Sequence, residues 1–164
     1  FGFMGQNFAT ATASIAGATY ANPTTTSPFD SFTGALYEGG AIIAVVTEIS
    51  LQLENGLEPR YVVGSKASLQ PSIGRSNVNG TVTAFFENSL MIDKFINETE
   101  SSLDFNLIDL GGNAYRFWLP RLKYTGGQPD VGGEGPVSLA MPFQALYDAT
   151  ATSNIIIDRI GVAA

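Results

Sequence analysis

Two runs of strict alternation late in the chain set the frame for the rest. In residues 115–124, Tyr115, Phe117 and Leu119 alternate with Arg116, Trp118 and Pro120. In residues 136–147, Val137, Leu139, Met141, Phe143 and Ala145 alternate with Ser138, Ala140, Pro142 and Gln144. A period of two belongs to strands with one buried face, so the pattern predicts two strands joined by the glycine-rich residues 125–135. Each carries a mid-run proline, which donates nothing to a ladder, so Pro120 and Pro142 are expected at an edge or a bulge. By alternation Trp118, Leu122 and Tyr124 fall opposite Phe117 and Leu119, which predicts a first strand covered on both faces, by its own domain or by another subunit.

The same pattern recurs upstream. Residues 41–53 read as a strand with Ile43, Val45, Ile49, Leu51 and Leu53 on one face, followed by the turn-forming Asn55-Gly56 and a returning strand at 60–63. Residues 77–86 alternate Val78, Gly80, Val82, Ala84 and Phe86 with Asn79, Thr81, Thr83 and Phe85, where the glycine marks a bulge or a close backbone approach. Asn88 or Ser89 caps a short helix in which Leu90, Met91, Phe95 and Ile96 make the sheet-facing stripe and Asp93, Lys94, Asn97 and Glu98 face water. Residues 103–108 and 154–160 complete the strands. Residues 9–40, rich in Ala, Thr, Ser, Gly and Pro, keep no period and read as a long arm whose scattered aromatics dock on a neighbour. The first residues resemble the end of a strand and predict further residues upstream. The expected organisation is a strand end at 1–8, an arm at 9–40 and a β domain at 41–164. The fold class is all-β, a sandwich or barrel with one short flanking helix and a long arm or loop.

Composition narrows the function. Only 14% of the 164 residues are charged, against about 25% in an ordinary domain, which suits a chain that does not keep all its surface in water. Eight Lys and Arg against 15 Asp and Glu give a net charge of -7, opposed to tight, sequence-independent nucleic-acid binding. Cysteine and histidine are both absent, which removes disulfides, Ser-His-Asp and Cys-His catalysis and the usual zinc sites. Ser65-Lys66, or Ser89 with Lys94, lacks the context of an activated nucleophile, and no two carboxylates are singled out for glycoside hydrolysis. The glycines at 126–127 and 132–135 miss the phosphate-loop spacing, and Asp130 and Glu134 miss that of a calcium loop. No cofactor, metal or membrane span is expected.

Several ordered motifs together resemble a known family. Residues 54–59 (ENGLEP), 63–65 (VGS), 73–86 (IGRSNVNGTVTAFF), 119–128 (LPRLKYTGGQ) and 141–145 (MPFQA) are similar to the C-terminal half of phage tail tube proteins. The resemblance implies a β-sandwich subunit, not an enzyme, made in the host cytoplasm and built into the virion of a long-tailed phage. There it forms rings, of six single-domain or three two-domain chains, that stack into a tube through which DNA passes without specific binding. Tail tip, terminator and tape-measure proteins are the implied partners. On this reading Glu48 and Asp104 are the lumen-facing residues, and the 65–77 loop with Lys66, Gln70, Pro71 and Arg75 reaches the next ring. Phe29, Phe32, Tyr37 and Trp118 meet neighbouring subunits. The rival from another class is a β-sandwich binding module, carbohydrate-binding or part of another virion structure, in which Trp118 would stack on the ligand.

Overall fold

Alternation carries most of the chain into one antiparallel sheet. The computed structural model describes residues 4–161 except 6, 7, 20, 21, 24, 26, 27, 30–34 and 132. Its strands are β1 (Leu36–Glu38), β2 (Ala41–Ile42), β3 (Val46–Glu54), β4 (Glu58–Arg60), β5 (Leu69–Ser72), β6 (Asn77–Phe85), β7 (Ser101–Ile108), β8 (Ala114–Tyr124), β9 (Gln128–Asp130), β10 (Ser138–Ala145) and β11 (Ile156–Ile160), with one helix, α1 (Leu90–Ile96), before β7. The chain is all-β apart from this helix.

By its contacts the chain divides into two compact units. One comprises Phe1–Thr25 and Glu54–Asn77, the other Thr26–Leu53 and Val78–Ala164. The first holds the β4–β5 hairpin, registered Glu58 to Ser72 and Arg60 to Leu69. The second holds nearly all of the large sheet, ordered β2-β1-β7-β8-β10-β6-β3, with β11 also on β8 and β9 also on β10.

The core of this second unit forms where the two halves of the sheet share their inner faces. Val78 and Val82 of β6 meet Met141 and Phe143 of β10, and Leu103 of β7 lies opposite Leu119 of β8; all are essentially buried. Each large side chain so removed from water contributes about 1.5–3 kcal/mol. Gly80 is required by this packing. A Cβ there would lie 2.1 Å from the Ser50 carbonyl oxygen and 2.6 Å from the Phe143 ring, so the glycine marks a close backbone approach.

Both prolines sit where a ladder is interrupted. Between the pairs Ser101–Leu122 and Leu103–Leu119, β8 uses one more residue than β7, a bulge at Pro120 and Arg121. The bulge corrects the expectation of a strand apolar on both faces: the extra residue returns Leu122 and Tyr124 to the face of Phe117 and Leu119, and both are buried. Pro142 lies between the end of the β8 pairing at Phe143 and the start of the β9 pairing at Ala140. The chain opposite makes an excursion there, and Thr125 N–H donates to the Pro142 carbonyl at 2.8 Å.

Other expectations need correction as well. The 41–53 strand is broken at residues 43–45, which separate β2 from β3. Asn55-Gly56 does not reverse β3 onto a returning strand at 60–63. Gly56 takes a positive φ of 55°, as its sequence suggests, but β3 pairs with β6, while β4 pairs with β5. The 9–40 segment contributes β1, and residues 125–135 contribute β9. In α1 it is Met91, Ile92 and Phe95 that pack on the core, leaving Leu90 and Ile96 about two-thirds exposed.

Candidate assembly surfaces

The outward face of β7 and β8 is a field of paired charge. Register places Asp104 beside Trp118 and Asn106 beside Arg116. Arg116 Nε donates to both Asp104 oxygens at 3.0 Å, and its Nη2 donates to Oδ2 as well. Asp158 of β11 lies 3.9 Å from Nη1. Hydrogen bonds from Asp104, ahead of its charge, raise the Arg116 pKa further above its usual value. The same guanidinium covers Trp118, 5.4 Å from the ring centre.

Beyond the bulge, Arg121 grips Glu100 through Nε at 2.6 Å and Nη2 at 2.7 Å. That hydrogen bonding holds the Glu100 carboxyl below the usual carboxylate range. Lys123 lies 3.7 Å from Glu98. Each cation of β8 is therefore opposed by a carboxylate.

The outward face of β3, β6 and β10 is different in kind. Ile49 and Leu51 turn to the core, so Glu48, Ser50 and Gln52 face away. On β6 and β10 the outward pairs are Asn79 with Gln144, Thr81 with Pro142 and Thr83 with Ala140. Ser50 Oγ accepts from Thr81 N–H at 3.2 Å, and Gln144 Nε2 donates to the Val78 carbonyl at 2.8 Å. A depression of about 660 Å³ opens on this face, lined chiefly by hydroxyls and amides. None of these outward positions holds a lysine or arginine.

A third cluster lies under the helix. Glu38, at the end of β1, is only 7% exposed. It accepts from Lys94 Nζ at 2.5 and 2.6 Å, from Ser101 Oγ at 2.5 Å and from the Tyr124 hydroxyl at 3.2 Å. Lys94, expected in water, thus ties α1 to β1. Burial first, and then the Glu38 charge and hydrogen bond, push the Tyr124 hydroxyl pKa far above its usual value. Sequence reasoning missed this cluster, because 56 residues separate Glu38 from Lys94 and no local pattern links them.

The residues named from sequence scatter over these surfaces. Glu48 is exposed on β3, while Asp104 is bound by Arg116, so the two do not form one acidic cluster. Lys66 is exposed in the turn between β4 and β5; Gln70 and Pro71 are on β5, and Arg75 follows it. Among the described residues Arg60, Lys66 and Arg75 make no ion pair within 4 Å, unlike the cations of β8. Phe29 meets Tyr115 edge to face at 5.2 Å. Tyr37 is half-buried on β1 and pairs with Asp104. Phe32 lies outside the described residues. Trp118 is half-buried with Arg116 over its ring, which is not the open platform of a stacking site.

Among the described residues no group of three or more acidic, histidine or cysteine side chains is placed to hold a metal. No described helix is long and apolar enough to cross a membrane.

Comparison with solved structures finds this fold in contractile injection machines. The tube-terminating cap of an anti-feeding prophage matches at a TM-score of 0.62 and 12% identity, over 85% of this chain and 96% of that one. The sheath/tube terminator of an extracellular contractile injection system, in its extended state, matches at 0.60 and 13%, over 82% and 99%. A chain of the extended sheath-tube complex of such a system matches at 0.57 and 13%, over 81% and 93%. No curated protein sequence matches. The model of the family described as phage tail tube protein matches residues 1–145. The chain therefore belongs to the phage tail tube family, whose members are structural subunits of the virion tail.

Proposed function

We propose that this subunit assembles edge to edge into rings, which stack into a hollow tube that conducts DNA. The observation that carries the reading is the open sheet. Among the described strands, β3 ends the order β2-β1-β7-β8-β10-β6-β3 and has a neighbour on one side only. A nine-residue edge left bare is a template for uncontrolled pairing. Joining the sheet of the next subunit in a closed ring removes that hazard. Phe29, Tyr37 and Trp118, with Arg116, give the opposite part of the molecule the aromatic and arginine content of a protein interface.

Stacking is assigned to the segment between β3 and β6. Its hairpin exposes Tyr61, Val63 and Ile73, which are 76%, 106% and 79% accessible. Three of the eight cations of the chain, Arg60, Lys66 and Arg75, lie there, while the rest is strongly acidic, so the hairpin complements the acidic surface of an adjacent ring. Tail tip, terminator and tape-measure proteins are its further partners on this reading. The ring contains six such chains, or three if each carries a second, similar domain.

Negative-stain electron microscopy of the purified full-length protein, alongside sedimentation velocity, tests this. Rings or tubes with a central hole are expected. A species that stays monomeric at high concentration, even with the tail tip complex added as an initiator, overturns the proposal.

A further inference from the structure

We infer that the outward face of β3, β6 and β10 is the wall of the bore, an uncharged amide and hydroxyl surface along which duplex DNA slides. The inference rests on the ring-and-tube reading above and says which surface meets the DNA. Three observations converge on it.

The first is charge. A wall of cations binds DNA by releasing its counterions, and each phosphate so neutralised strengthens the grip. The β7–β8 face carries Arg116, Arg121 and Lys123, each about two-fifths exposed. Their carboxylate partners are ones that a passing phosphate can displace. On the β3–β6–β10 face the outward positions within this unit hold no cation, and Glu48 is their one carboxylate.

The second is wetting. Protein interfaces are enriched in aromatics, methionine and arginine around a desolvated centre. Asn79, Thr81, Thr83, Ala140 and Gln144 supply none of these, and they are half-exposed or exposed. Burying such a stripe against protein would demand a partner for every hydroxyl and amide. Water supplies those partners without design, so the face suits a water-filled channel. The third is continuity. β3 carries both this face and the unpaired edge, so joining subunits at β3 extends the same face around a ring.

The absence of cysteine makes the test clean. A single thiol is introduced by A140C, at an exposed position opposite Thr83, and in a second variant by T83C in case the first disturbs assembly. N106C, on the outward face of β7, serves as the comparison. Each is labelled in unassembled subunits and in tubes, with a small maleimide and with a maleimide on a polymer too wide to enter the bore. The expected result is that in tubes the A140C and T83C thiols react with the small reagent, while the polymer reagent reacts at least tenfold more slowly than with free subunits. N106C is expected to show no such selectivity. Equal protection factors for the two reagents at A140C and T83C, or selectivity at N106C alone, overturn the inference and leave the tube intact. Failure of the wild-type chain to form tubes overturns the underlying assembly reading.

Discussion

The β7–β8 face and the β3–β6–β10 face stand on one core and treat charge in opposite ways. On β8, Arg116, Arg121 and Lys123 are each met by a carboxylate, and Arg116 by two. Across the core, the outward residues of β6 and β10 solve the same solvation problem with hydroxyls and amides. The difference shows that the low charge of the chain is not spread evenly. Charge is concentrated where it is neutralised within the subunit and withheld where the wall has to stay inert. If so, removing a charge should matter in proportion to how deeply its partner is buried, and changes on the neutral face should leave the fold alone.

The largest effect is expected at Lys94. Its partner Glu38 is 7% exposed, so K94M strands a buried carboxylate with only Ser101 and Tyr124 as donors. Breaking a buried pair from one side costs about 3–5 kcal/mol, to be read as a lower urea midpoint at unchanged slope. The double variant E38Q/K94M removes the stranded charge and should recover most of the loss. An unchanged midpoint in K94M would show that the cluster adds nothing to the fold.

The same cluster gives the next effect. Burial beside Glu38 keeps the Tyr124 hydroxyl un-ionised in the folded state far above its usual range. The unfolded chain loses that proton near pH 10. Below this pH both states hold the proton and the contribution is fully present; above it only the folded state does, so stability falls as pH rises, by up to about 1.4 kcal/mol per unit. Y124F should flatten this alkaline limb, at a cost near neutrality of about 0.5–1.5 kcal/mol for the lost hydrogen bond. Urea melts at pH 9 and 11 on both proteins measure the difference, and equal slopes would sink it.

How much of this was visible in the sequence follows from the range of each signal. Alternation located β6, β7, β8, β10 and β11 to within a few residues, because each is long enough to show its period. β1 and β9 have three residues each, too few to show one. The two prolines announced interruptions, but strict counting through Pro120 put Leu122 and Tyr124 on the wrong face, since a bulge advances parity by one. Tyr37, Trp118 and Asp104 were singled out by residue type, and the structure brings them to one place through β1, β7 and β8. The Glu38–Lys94 pair was illegible, because it depends on tertiary contact between an arm and a helix. The neutrality of the β3–β6–β10 face was present in the alternating residues all along. It became readable only once the pairing of β6 with β10 and the turning of Ile49 and Leu51 to the core showed which positions share a surface.

The sharpest form of the comparison pairs two small effects. R116A removes hydrogen bonds to Asp104, a second carboxylate at 3.9 Å and the cover over Trp118. The guanidinium is more than a third exposed, so solvent screening limits the loss to about 1 kcal/mol. T81S, on the neutral face, keeps the hydroxyl and the Thr81 backbone bond to Ser50 Oγ, and should shift stability by less than about 0.5 kcal/mol. The two should also respond differently to salt. The difference between wild type and R116A is expected to shrink between 0.05 and about 0.5 M sodium chloride as the ion pair is screened, while that between wild type and T81S stays constant. A salt-dependent T81S difference would mean that the neutral face takes part in the electrostatics of the fold. The division of labour between the faces would then fail at its cheapest test, because a wall that feels ions would also feel the phosphates of passing DNA.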